Sequence, residues 1–283
     1  MRVLVTGVRG LLGAAIAHEF QRDAEVHAFD RARLDVSDEP AVAAAVSDVR
    51  PDVIINCAAY NNVDGAEEDA LAALEGNAFG VLTLSRAARG AGATLVHYGS
   101  DFVFNGETSR PYAESDQPHP LGVYGASKLL GEWFALETPG AYVLRVESLF
   151  GHPGPDTSWR GSMAGIIDRI KAGDDVPLFV DRTVSPSYTA DVAAATRKLI
   201  AAPAAPGLYH CVNSGAASWA DIAAEAARLL GRPLRLKPIT LATAGLRAAR
   251  PRYSALSPAK LAAIGIVMPD WKDALGRYVH AER

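Results

Sequence analysis

The 283-residue sequence predicts an α/β fold, a parallel sheet wound with helices on both faces and followed by a smaller C-terminal α/β lobe. Three observations predict it. Strand-length apolar runs alternate with Ala-rich helical stretches, a glycine turn follows the first run at once, and the composition turns to Pro- and Gly-containing segments after Gly151. Alternation of this kind means parallel strands joined by crossover helices, with both faces of the sheet covered.

Taken in order, strands are predicted at residues 3–6, 26–29, 53–57, 94–98 and 142–146. Helices are predicted after Gly10, over 67–89 and over 124–137, the last stopped by Thr138-Pro139-Gly140. A nucleotide-binding domain over 1–150 and a mainly substrate-binding lobe over 151–283, with the chain crossing back to the first domain, follow from the break at Gly151. Within the second part, Ser218-Trp219-Ala220-Asp221 reads as a capping box ahead of an Ala/Leu helix.

Bulk properties remove several function classes. With 28 basic and 32 acidic residues and a net charge of −4, the chain has no dense basic footprint for nucleic acid. No apolar run reaches the roughly 18 residues of a membrane span, and the N-terminal strand has no signal-peptide pattern. Cys57 and Cys211 sit in apolar runs, as small buried hydrophobes in a reducing compartment do, so a cytoplasmic location is expected. The seven histidines show no zinc-ligand spacing, and no metal is expected. Ser100 lacks the G-x-S-x-G context of a hydrolase.

Gly7, Gly10 and Gly13 form G-x-x-G-x-x-G between the first strand and its helix, the helix opening with Leu11 and Leu12. Bare backbone there can approach a pyrophosphate, and the helix N-terminus favours its charge, the arrangement of a Rossmann-type doubly wound domain. Three glycines also suit a tight turn or close helix packing. Asp30 adds weight: it closes the second strand 17 residues after Gly13, where a carboxylate can accept bonds from an adenosine ribose. Arg31 and Arg33 follow, and a guanidinium there can hold a 2′-phosphate instead, so NAD(H) and NADP(H) both stay open. Asp35 and Val36 fit the adenine edge, and Asp35 fits a helix cap equally well.

Tyr124 and Lys128 are four positions apart and share one helix face. A phenol of pKa about 10 exchanges protons poorly near neutrality, and the Lys128 ammonium is expected to lower it and to bond the nicotinamide ribose. Ser100, at the end of the fourth strand, can donate to a carbonyl oxygen as charge develops there. An exposed i,i+4 pair and a turn-capping serine are the plainer readings of these residues taken singly.

Together with Asn56-Cys57-Ala58-Ala59-Tyr60, His97-Tyr98-Gly99-Ser100-Asp101-Phe102, Tyr124-Gly125-Ala126-Ser127-Lys128, Val184-Ser185-Pro186 and Arg250-Pro251, the glycine turn resembles the dTDP-4-dehydrorhamnose reductase family of extended short-chain dehydrogenases/reductases. The likeness runs through nearly the whole chain. It implies an enzyme that carries hydride from NAD(P)H to the C4 ketone of a nucleotide-linked 6-deoxy-4-keto sugar. Tyr124 would protonate the alkoxide and Lys128 would tune it. Ser100, replacing the family's usual Thr, would contact the sugar with Asp101 and Phe102. Ala58, Ala59, Asn61 and Tyr98 would line the cofactor, and Arg250 would reach the nucleotide's pyrophosphate.

The chain departs from the family at Arg145-Val146-Glu147-Ser148-Leu149-Phe150-Gly151, where the pattern R-T-S-W-V-Y-G is usual. Ser148 replaces the tryptophan that packs on the sugar, Glu147 introduces an acid beside it, and Trp159, in Ser158-Trp159-Arg160, is expected to supply an aromatic wall. Rival readings are a nucleotide-sugar epimerase or dehydratase, a reductase of another keto or imine intermediate, and a non-catalytic NADP-binding regulatory subunit such as the beta subunit of methionine adenosyltransferase. The expected partner is a nucleotide sugar or similar keto molecule, with the chain a monomer or homodimer.

Overall fold

The computed structural model describes residues 1–152 and 160–281. Six parallel strands form the central sheet: β1 (Arg2–Thr6), β2 (Glu25–Phe29), β3 (Val53–Asn56), β4 (Thr94–Ser100), β5 (Tyr142–Val146) and the strand Gly207–His210. Their spatial order is Gly207–His210, β5, β4, β3, β1, β2. The chain therefore reverses direction between β1 and β3, and the crevice above their carboxyl ends is where open α/β sheets bind ligands. Val3, Val5, Val53, Ile55, Val96 and Leu144 fill one face of the sheet and Leu4, Ile54, Leu95 and Val143 the other. Burial on both faces is the reason these strands read as continuous apolar runs.

Helix α1 (Leu11–Phe20) follows the glycine turn, and α2 (Glu39–Val49) is capped by Asp38, whose carboxylate accepts from the Ala41 N–H at 3.0 Å. Asp35 is thus not the cap of that helix. The helix expected over 67–89 is instead Gly65–Glu68, Ala70–Leu74, a π-helical turn Glu75–Phe79 and Gly80–Ala91. Asp69 starts a new helix there by capping Ala72 at 3.0 Å. The wide turn then lets Asn77 point inward, bonding Tyr60 N and O at 2.8 and 3.0 Å and Ser127 Oγ at 3.0 Å.

After β5 the chain builds a second core from helices Gly161–Ala172, Trp219–Leu230 and Trp271–Ala281, around Ile167, Ile222, Leu275 and Tyr278. Three short pairings brace it: Val176–Phe179 with Leu236–Ile239, Thr183–Val184 with Ala217–Ser218, and Leu149–Phe150 with Ser187–Tyr188. Ser218 forms the capping box with Asp221. No helix among the described residues is long and apolar enough to cross a membrane.

Candidate active site

Two cavities, of about 320 and about 500 Å³, share Gly10, Cys57, Ala58, Ala59 and Asn61 at the crevice above β1 and β3. Gly7, Asp30, Arg31, Asp35 and Val36 line the smaller; Leu11, Leu12, Gly13, Tyr98, Ser100, Asp101, Phe102, Tyr124, Lys128 and Ser148 line the larger. Each volume falls within the roughly 300–1,000 Å³ of small-molecule sites.

The glycine turn fits a dinucleotide. Gly7 has φ +70°, and a Cβ there would stand 2.6 Å from Ala58 N; a Cβ on Gly13 would strike the Gly7 carbonyl. These two glycines close the turn against β3 and α1. A Cβ on Gly10 would meet only Gly7 O, at 3.3 Å, and Gly10 caps α1 with no side-chain bond, so the helix N-terminus opens on the cavities. At the second strand's end Asp30 Oδ1 accepts from Arg33 N at 3.0 Å. The Arg33 guanidinium is committed to Ala28 O at 3.0 Å and lies over Phe29. Among the described residues Arg31 bonds the half-buried Asp35, at 3.1 Å, a surface pair that a ligand phosphate can displace. Asp35 also accepts from Ser37 N and Oγ at 3.0 and 2.7 Å, bonds that hold its carboxyl below the usual range.

Tyr124 and Lys128 lie on the helix Val123–Leu136. Its first N–H, of Val123, donates to Glu67 Oε1 at 2.8 Å, and the Asn77 bond to Ser127 fixes its roll. Both side chains are buried. The Lys128 ammonium donates to the Tyr98 carbonyl at 2.6 Å, and burial lowers it to about 8. Tyr124 stands edge-on to Phe102, ring centroids 5.3 Å apart, and lines the larger cavity with Ser100. Burial, then the Asp101 carboxyl, push its phenol up to about 12. The lowering of the phenol by Lys128 expected from the sequence is therefore absent: Lys128 is turned to the β4 backbone, and Tyr124 stays protonated at neutral pH.

In the larger cavity, sequence reasoning missed Arg182, Ser162 and Trp219, which line it with Glu147. Trp219 is the first residue after the Ser218 cap, so the capping box that looked purely structural also places an indole. Ser148 lines the same wall with φ +44°, a strained conformation for a non-glycine residue. Ser158 and Trp159 lie outside the described residues. Arg250 is a correction: it lines neither cavity, because its guanidinium is tied to Asp64 at 2.9 Å and to Ala248 O at 3.0 Å. Arg182, anchored on Pro251 O at 3.3 Å, is the arginine that reaches the larger one.

Among the described residues no three His, Cys, Asp or Glu side chains converge as metal ligands. Cys57 and Cys211 are free thiols, and burial raises both.

Comparison with known proteins agrees with this geometry. The family profile described as RmlD substrate binding domain matches residues 1–283. A dTDP-4-dehydrorhamnose reductase of Streptomyces griseus is 38% identical over 97% of this chain and 91% of its own length. A probable dTDP-4,6-dihydroxy-2-methyloxan-3-one 4-ketoreductase of Streptomyces antibioticus is 35% identical over 97% and 93%. The crystal structure of dTDP-4-dehydrorhamnose reductase from Bacillus anthracis str. Ames in complex with NADP superposes with a TM-score of 0.93 at 32% identity, covering 100% of this chain and 99% of that one. From the full-length profile match and these identities, the chain belongs to the RmlD substrate binding domain family.

Proposed function

We propose that the chain is an NAD(P)H-dependent oxidoreductase that reduces the C4 keto group of a dTDP-linked 6-deoxy-4-keto sugar. One observation carries this reading: Ser100, Tyr124 and Lys128 meet, buried, in a cavity that joins a glycine turn fit for a dinucleotide to an enclosed, partly aromatic wall. The names of the relatives supply the sugar class. The bound cofactor supplies the hydride.

The residues of the chain do the rest. Gly7, Gly10 and Gly13 with Leu11, Leu12, Ala58, Ala59, Asn61 and Tyr98 would seat the dinucleotide, Asp30 or Arg31 meeting its ribose or 2′-phosphate, with Asp35 and Val36 at the adenine. Lys128, on the same helix and lining the same cavity, would hold the nicotinamide-side ribose. Tyr124 gives its proton to the oxygen of the reduced carbon. Its raised phenol keeps that proton until the alkoxide forms, as a donor in the reducing direction must. The Ser100 hydroxyl donates to Asp101 Oδ1 at 3.0 Å, and turning it to the substrate oxygen would stabilise developing charge. Asp101, Phe102 and Ser148 would contact the sugar, with Arg182 taking the cationic part assigned from the sequence to Arg250.

We place the cofactor half in residues 1–150 and the substrate lobe mainly in 151–283, and a cytoplasmic location fits the two free thiols. The test is oxidation of NADPH and NADH with dTDP-4-dehydro-6-deoxy-L-mannose. Turnover in step with sugar reduction is expected; tight dinucleotide binding with no turnover of this sugar would refute the substrate and leave the fold's cofactor site intact.

A further inference from the structure

Arg182 is 9% exposed and lines the larger cavity, yet among the described residues its guanidinium makes a single hydrogen bond, from Nε to Pro251 O at 3.3 Å. Its two terminal nitrogens meet no acceptor there, and the rings of Phe102 and Phe179 lie 5.8 and 6.0 Å from its Cζ. Asp101 and Glu147 are the carboxyls that act most strongly on its charge, and neither forms an ion pair with it. A guanidinium withdrawn from water with an unpaired fork is costly to keep, and it suits bidentate recognition of an oxyanion.

The two carboxyls do not close on that fork because their oxygens are engaged elsewhere. Asp101 Oδ1 accepts from Ser100 Oγ at 3.0 Å. Glu147, at the carboxyl end of β5 where the family pattern has serine, accepts from Ser185 N on Oε2 at 2.7 Å and from Ser254 Oγ on Oε1 at 2.5 Å. These two partners lie on two segments that run side by side. Thr183 N donates to Arg252 O at 2.8 Å, Ser254 N to Thr183 O at 2.9 Å, and Leu256 N to Ser185 Oγ at 3.1 Å. Arg182 sits on the first segment, and Pro251, its anchor, on the second. Glu147, Ser185 and Ser254 are all buried, so water does not compete for these bonds. One side chain thus grips both rails of the ladder that carries Arg182.

We propose that Glu147 is a positioning residue: by clamping Ser185 and Ser254 it holds the Arg182 fork open to the cavity, where the fork takes an oxyanion of the substrate. The inference rests on the substrate class proposed above, whose oxyanion is the diphosphate of a dTDP-linked sugar. Glu147 acts here through hydrogen bonds and not through its charge. As a charge alone, a carboxyl on this wall would repel the diphosphate, so clamp and charge have opposite signs and can be told apart.

The test titrates dTDP, and separately inorganic pyrophosphate, into the full chain saturated with NADP+. Arg182→Met should weaken dTDP at least about tenfold, the loss of a bidentate charged contact. Glu147→Ala should weaken it several-fold, and the double variant E147A/R182M should bind no more weakly than R182M, because Glu147 acts through Arg182. Glu147→Gln, whose amide can accept from Ser185 N and donate to Ser254 Oγ, should bind at least as tightly as the parent. Ser254→Ala, which removes one grip and keeps the carboxylate, should weaken dTDP in the parent and leave R182M unchanged. NADP+ affinity should be parental throughout. Tighter binding in both E147A and E147Q, or additive losses in E147A/R182M and in S254A/R182M, would overturn the clamp. If the parent binds pyrophosphate but not dTDP, the substrate reading fails alone and the same variants, scored on pyrophosphate, still decide the clamp. A parent that binds neither anion would overturn the proposal.

Discussion

Replacing Tyr124 by Phe isolates the proton-donor role, because the ring that packs edge-on against Phe102 at 5.3 Å is kept and only the hydroxyl is lost. The phenol, held up to about 12 by burial and by Asp101, is fully loaded at neutral pH, so every substrate-bound molecule has a donor in place. A positioned proton donor is worth roughly 10²- to 10⁴-fold in rate, about 3 to 5 kcal/mol of barrier. The loss in Y124F should fall inside that range and not beyond it, because Ser100 keeps a hydroxyl at the same oxygen and Lys128 keeps its place. Dinucleotide affinity should change little, since the substitution keeps the ring and its packing on Phe102. Stopped-flow and steady-state loss of reduced nicotinamide give the rate, and a fluorescence titration gives the affinity. Turnover within a few-fold of the parent would refute the assignment; a parallel collapse of dinucleotide binding would mean that the hydroxyl holds cofactor instead.

Three other perturbations separate the parts of the site. Burial lowers Lys128 from 10.5 to about 8, so between those values the unfolded chain holds a proton that the folded chain has released, and stability rises with pH across that window. Below pH 8 the buried charge costs on the order of 3 kcal/mol, partly offset by the bond to Tyr98; Lys128→Met should therefore raise the Tm at neutral pH while activity is lost, and a lower Tm would contradict the sign. Gly13→Ala, whose Cβ strikes the Gly7 carbonyl, should destabilise the fold, whereas Gly10→Ala should melt like the parent yet bind dinucleotide at least about tenfold more weakly; equal melting of the two would show that the turn can relax. Trp219→Ala leaves the Ser218 cap in place and should raise the KM for the sugar roughly tenfold with the dinucleotide Kd unchanged, and an unchanged KM would remove the indole from the sugar wall.

The cofactor half was legible because its chemistry is local. Gly7, Gly10 and Gly13 act through backbone, so spacing alone encodes the turn, and β1, β3, β4 and β5 are buried on both faces, which forces apolar runs that the eye can count. Tyr124 and Lys128 were readable for the same reason, one helix face bringing them together. Their electrostatics were not: the expected lowering of the phenol assumed water-like surroundings and an ammonium aimed at it, and burial with Asp101 nearby reverses the sign. The single helix expected over 67–89 was broken by Asp69, which caps a new helix at Ala72 N, a role that its place inside an apolar-periodic run conceals. Arg250 was carried over by position, with nothing in the sequence to show that Asp64, far away in the chain, would hold it.

The sugar half is written differently, and this explains both the misses and the divergence at its wall. Glu147, Ser148, Ser162, Arg182 and Trp219 come from separate segments, gathered by pairings only two to four residues long, and each alone reads as a strand end, a helix start or a surface charge. Such a wall can change one residue at a time without disturbing the sheet or the glycine turn. Exchange of a tryptophan for Ser148 and of a serine for Glu147 are changes of that kind, and Trp219 and Arg182, already on the same wall, are in place to meet the sugar from the other side. Glu147 accepts from Ser185 N at 2.7 Å and from Ser254 Oγ at 2.5 Å, so a substitution there also loosens the two segments it ties to the end of β5. The Asp101 carboxyl raises both Tyr124 and Glu147, so variants selected for a new keto sugar at position 147 should shift the pH dependence of turnover as well as its KM.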